Sequence, residues 1–151
     1  MAKFAATGDR ATSTTLATVL GWNAVSTTKL ERLRFFFLSV ACTGTPGDVQ
    51  IEILVQRYSA DGTNSAITPK PIDFADAASL SVAGDNHTVE PTYTAAEVML
   101  WDSFHQRGRL VWYAAPGGEI VTPATNEAGL GIQTDASSGT PTAVATMHAE
   151  E

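Results

Sequence analysis

Between Val49 and Gln56 the chain alternates with a period of two: Val49, Ile51, Ile53 and Val55 share one parity, and Gln50, Glu52 and Gln56 take the other. That alternation predicts a strand with one buried face. The segment before it, Leu30 to Ala41, carries Leu33, Phe35 and Phe37 on one parity. Its other parity opens with Arg32 and Arg34 and then changes to Phe36, Leu38 and Val40, so its far half reads as covered on both sides. Another sheet, a loop or a neighbouring subunit would supply that cover. The turn-forming run Thr43 to Asp48 joins the two segments into an antiparallel pair.

Elsewhere the pattern is weaker. Thr12 to Leu20 has the β-branched content of a strand and is closed by Gly21, whereas residues 1–10 have no clear period and read as an N-terminal arm ahead of one domain, 11–151. Asp61 to Ser65 is a turn, and Thr68-Pro69-Lys70-Pro71 imposes an extended path outside any sheet interior. Asp73 to Ala78 spells a single helical turn, and Ser79 to Ala83 resumes the alternation until Gly84-Asp85-Asn86. Thr94 to Trp101 supports two readings: a capping box followed by a short helix, or a strand over Glu97 to Phe104 that turns and pairs with Arg109 to Ala114. The strand is preferred, because about two helical turns are marginal alone. Arg109 to Thr134 then reads as three short strands punctuated by Pro116-Gly117-Gly118, Pro123 and Asn126 to Gly129, and Thr142 to His148 is the last strand. About eight strands with Pro and Gly between them predict an all-β fold, an antiparallel β-sandwich of jelly-roll type with little helix.

Length and composition fit that picture: 151 residues, 44% apolar and 17% charged, are enough for a single β-rich core. The net charge of −7 opposes non-specific attraction to nucleic acid or to anionic lipid. One cysteine, Cys42, rules out an internal disulfide framework and is compatible with a reducing cell interior. The start has no positively charged region leading into an apolar stretch, and the longest apolar block, Phe35 to Leu38, is too short to span a bilayer.

Candidate chemistry is sparse. His87, His105 and His148 lie in separate segments without metal-ligand spacing, and Cys42 has no basic neighbour to activate it. Asp73 with Asp76, and Glu150 with Glu151, are carboxylate pairs close in sequence, which does not place two carboxylates across a cleft. These patterns predict a protein that is not an enzyme and uses no cofactor and no metal. Trp22, Trp101, Trp112 and Tyr113 are candidates for a sugar-stacking platform, although Trp112 and Tyr113 have opposite parity. Phe36, Leu38, Trp101, Arg107 and Arg109 are the candidate contacts to a subunit or partner surface.

The run Phe104-His105-Gln106-Arg107-Gly108, then Leu110 through Thr125 with Ala114-Ala115-Pro116-Gly117-Gly118, then Gly129-Leu130-Gly131-Ile132-Gln133-Thr134, resembles small structural proteins of tailed bacteriophage heads. The closing segment Ala143 to Glu151 fits the same pattern. The resemblance covers about a third of the chain. It implies a jelly-roll decoration, or cement, protein, usually a homotrimer. Such a protein would be made in the host cytoplasm, sit on the outer capsid surface of the virion, clamp neighbouring copies of the major capsid protein, and engage neither nucleic acid nor membrane. The competing expectation is a carbohydrate- or receptor-binding module of a phage tail or fibre.

Overall fold

The structure, a computed structural model, describes residues 1–25 and 32–151. Twelve strands follow in chain order: β1 Lys3–Ala11, β2 Ala17–Ala24, β3 Arg32–Thr43, β4 Gln50–Ala60, β5 Thr63–Ile67, β6 Lys70–Pro71, β7 Ser81–Val89, β8 Thr92–His105, β9 Arg109–Tyr113, β10 Ile120–Pro123, β11 Gly129–Ala136 and β12 Thr142–Glu150. All pairings among the described residues are antiparallel, and they form two sheets. In sheet A, β3 pairs with β12, β12 with β1 and β1 with β6, while β9 and β10 share the outer edge of β3. Sheet B runs β5-β7-β2-β11-β4-β8.

The pairs β1 with β12, β2 with β11, β3 with β9 and β4 with β8 come from successively nested parts of the chain. β1, β12, β3 and β9 neighbour one another in one sheet, and β2, β11, β4 and β8 in the other. This is the jelly-roll order. The expected segments cover β2, β3, β4, β8, β9, β11 and β12 of this nested set together with β7 and β10, whereas β1 is not among them; β5, β6, β7 and β10 extend the edges. The unexpected β5 and β6 are five residues or fewer, too short for alternation to stand out.

Residues 1–10 are not an arm. β1 lies between β12 and β6 and sends Phe4, Ala6 and Gly8 into the interior while Lys3, Thr7 and Asp9 face solvent. The alternation is real, but Ala5, Ala6 and Gly8 give it little hydropathic contrast. Nor does Gly21 close a strand: it sits inside β2, which is buried over Thr18–Ala24. Gly84-Asp85-Asn86 likewise lies within β7, with Asn86 at φ 48°. Asp73 to Ala78 forms a turn closed by Asp76 N–H donating to Asp73 O at 3.1 Å, with no helix. Thr94 to Trp101 belongs to the fourteen-residue strand β8.

β3 explains its own excess of apolar residues. Phe37 faces His148 and Phe35 faces Ala149, so Phe36 has no partner across the sheet. That extra residue is a β-bulge, and it reverses the buried parity from Leu33 and Phe35 to Leu38 and Val40. The reversal, rather than a cover on both faces, accounts for the run. Leu30, expected at the start of this strand, lies outside the described residues.

Between the sheets, Trp22, Phe4, Phe35, Leu20, Leu33, Leu38, Ile53, Leu130, Ile132 and Met147 are fully buried. Trp22 and Phe35 meet edge to face with centroids 5.6 Å apart, and Trp22 Nε1 donates to Ser81 Oγ at 2.6 Å. Each such side chain contributes about 1.5–3 kcal/mol by leaving water. Glu151 closes this end, accepting hydrogen bonds from Ser79, Ser81 and the Leu80 amide.

Candidate interaction surface

The outer face of sheet A is built of cross-strand rows. Lys3, Glu150 and Arg34 form one row, followed by Ala5, His148, Phe37 and Tyr113. Next come Thr7, Thr146, Ser39 and Val111, and then Asp9, Val144, Ala41 and Arg109. Beyond Ala5 the second row ends in Lys70 on β6, and the third row carries no charged side chain, so Lys3, Glu150, Arg34, Lys70, Asp9 and Arg109 stand around an uncharged centre. Phe37 packs on Tyr113 at 4.9 Å and on His148 at 4.6 Å between ring centroids, and Lys3 Nζ lies 5.6 Å from the ring of Phe36. Tyr113 remains 70% exposed. Partial burial pushes the His148 imidazole below its ordinary value, favouring the neutral ring.

The sequence-predicted contacts divide. Arg109 lies on this face, and Phe36 sits half-buried beside it at the bulge. Leu38 is fully buried and cannot be a contact, because the bulge turns it inward. Arg107 is exposed in the turn between β8 and β9, where its amide donates to His105 Nδ1 at 3.2 Å and His105 Nε2 lies 2.8 Å from Asp48. Trp101 is on the other sheet, 71% exposed, its indole N–H donating to Glu52 at 2.7 Å above a shallow depression lined by Asp102 and Ser103. Trp22, by contrast, is buried, and Trp112 points inward opposite Leu38 while Tyr113 points out. The aromatic residues therefore do not form one platform.

Phe37, Tyr113 and His148 join the surface only through pairing, since residues 37, 113 and 148 have no sequence proximity. Alternation in β9 and β12 was the available cue for Tyr113 and His148, whereas the bulge in β3 hides it for Phe37.

A second assembly lies across sheet B, where the outer side of β11 is also buried. Tyr93 Oη is 2.7 Å from Thr18 Oγ1, and Thr18 and Arg10 hydrogen-bond to Glu90, Arg10 at 2.6 Å. Burial alone would raise the Glu90 carboxyl, but the Thr18 hydroxyl and the Arg10 guanidinium outweigh it and leave the group lowered. Tyr58 Oη donates to Asn23 at 3.2 Å; its hydroxyl is pushed well up by burial and by Asp61. His87 is buried against Asp61 at 3.4 Å. These groups bond to one another in a wedge among β1, β2, β4, β7 and β8, a structural role, with His87 Nδ1 alone among them buried without a partner. No spacing in the sequence announces them.

At the end of the sandwich, a groove of about 450 Å³ is lined by residues 43–47 and 139–142 with Gln106. It has no titratable side chain, and both ends of the Gln106 amide are used, Oε1 by Gly47 N–H and Nε2 by Thr45 O, each at 3.0 Å. Cys42 is half-buried, which pushes its thiol up and away from the reactive thiolate. Among the described residues no three His, Cys, Asp or Glu side chains converge as metal ligands. No family model matches the chain, and no curated protein or solved structure matches it.

Proposed function

We propose that the protein is a virion structural protein that decorates and stabilises a tailed-phage capsid, binding the assembled shell from outside as a homotrimer. The observation that supports this reading is the outer face of sheet A, where rows of small, uncharged and aromatic side chains end in charged rims. Such a surface suits binding by shape and charge. A protein that binds only the assembled lattice stabilises it by mass action and needs no chemistry of its own. The residues behind the phage-head resemblance form the end of β8, then β9, β10, β11 and β12 with their turns, and so fall in both sheets. Mixing the protein with mature, undecorated phage heads and sedimenting them tests the proposal. Saturable uptake at a fixed ratio to capsid protein is expected, and the absence of uptake overturns it. A light-scattering mass of three chains supports the trimer, and a monomer both free and on the shell removes it.

One observation favours a second reading, a glycan- or receptor-binding module. Trp101 presents an exposed ring beside Glu52, Asp102 and Ser103, the ring-plus-hydrogen-bond arrangement that suits a sugar. A glycan-array signal lost in Trp101→Ala would establish it.

A further inference from the structure

We propose that the protein docks through the outer face of sheet A, and that the surface it meets is an acidic, flat protein surface. This rests on the coat reading and adds which face binds and what the partner presents. The charges of this acidic chain are not evenly spread. The strands of sheet A carry six basic side chains, Lys3, Arg10, Arg32, Arg34, Lys70 and Arg109, against two acidic ones, Asp9 and Glu150, and of the basic ones all but Arg10 stand outward. The strands of sheet B carry one basic residue, Arg57, against Glu52, Asp85, Glu97, Asp102 and Asp135. Arg57 is moreover paired with Glu97 at 3.7 Å. The strands of the two sheets therefore oppose one another in sign, and the basic sheet is also the one whose outer face has the uncharged centre.

That combination selects among partners. A polyanion such as duplex DNA rewards dense Lys and Arg contact with phosphates and is repelled by a chain of net charge −7. Here the basic groups stand at the rim and the middle is Ala5, Phe37, Ser39, Thr146 and Tyr113, which suits close packing on protein with acidic groups around it. Size sharpens the inference. With about 4.8 Å between strands and about 3.3 Å per residue, the four rows and their margins cover roughly 500 Å². A stable pairwise interface takes about 800 Å² from each partner. One copy alone thus binds weakly, and occupancy depends on an array of sites, as a repeating shell offers.

Two probes test it. Beads coated with poly-L-glutamate should retain the protein at low ionic strength and lose it about tenfold as salt rises to physiological strength. Arg34→Gln/Arg109→Gln should weaken retention at least about fivefold, whereas Glu52→Gln/Asp135→Asn should not weaken it. In the bound state, acylation of Lys3 and Lys70, read by mass spectrometry, should slow. Equal retention of both variants, unchanged lysine reactivity, or tighter retention on DNA-coated beads overturns the proposal. So does a salt-sensitive rise in mass in free solution, which would mean that the basic face meets the acidic face of a second copy. With undecorated heads, wild-type uptake alongside normal uptake of the arginine variant defeats the face assignment alone. Failure of wild-type uptake defeats the coat reading, and the bead experiment still decides which face is the basic one.

Discussion

Phe37 and His148 lie across from one another on β3 and β12, ring centroids 4.6 Å apart and planes tilted by 36°. The contact favours the neutral imidazole, because partial burial lowers its proton affinity below the ordinary value of 6.5. A group whose folded-state pKa is depressed contributes stability above its unfolded value, and that contribution is lost as the pH falls through the folded value. Urea midpoints should therefore be flat on the alkaline side of pH 6.5 with respect to this residue and should fall below it. His148→Gln should remove that part of the slope. An unchanged slope would mean that other groups set it.

Further down in pH a different residue takes over. Glu90 is held ionised by Thr18 and Arg10 despite the opposing effect of burial, so its carboxyl is lowered from 4.5. Its share of the stability is present above that value and disappears as the pH drops through the lowered one. In acid titrations followed by circular dichroism, Glu90→Gln should be less stable than wild type at neutral pH, and the gap should close in acid. A gap that persists unchanged to low pH would contradict this role.

The bulge at Phe36 makes a prediction about two adjacent parts of one strand. Leu38 is fully buried, so Leu38→Ala should cost about 2–5 kcal/mol by removing transferred surface and leaving a cavity. Trp101 is largely exposed, and Trp101→Ala should stay within about 0.5–1 kcal/mol despite the larger deletion. Phe36→Ala should fall between them, since its ring is half-buried on the outer side. Chemical denaturation of the three variants reads the order directly. Leu38→Ala milder than Phe36→Ala would mean that the parity does not reverse.

What the sequence made legible follows from contrast between neighbouring residues. β4 was readable because Ile51, Ile53 and Val55 alternate with Gln50 and Glu52, and β12 because buried Ala143, Ala145 and Met147 alternate with Thr142, Thr146 and His148. β1 obeys the same alternation, but with Ala5 outside and Ala6 and Gly8 inside the two parities look alike. In β3 the pattern was visible and misleading, since a single unpaired residue exchanges the faces, and it placed Leu38 on the surface. The exposure of Trp101 and Arg109 followed from local pattern. The rows joining residues 5, 148, 37 and 113 did not, because only the nested pairing brings them side by side. The polar wedge of Arg10, Thr18, Glu90 and Tyr93 escaped for the same reason.

That wedge depends on glycine. A Cβ on Gly131 would stand 2.2 Å from Tyr93 Oη and 2.9 Å from its ring carbon Cζ, closer than atoms can approach, so the absence of a side chain on β11 is what lets the tyrosine lie across the sheet. Gly131→Ala must displace Tyr93 and with it the 2.7 Å contact to Thr18, at a cost of about 1–3 kcal/mol. Tyr93→Ala loses the ring and its packing against Tyr58, whose centroid lies 5.8 Å away. In the double variant the new methyl group no longer meets the ring, so the two losses should not add: the pair should be less destabilised than the sum by about 1 kcal/mol or more. Additive costs would show that the strain lies in the backbone of β11 rather than in this contact, and a thermodynamic cycle on four purified proteins distinguishes the two.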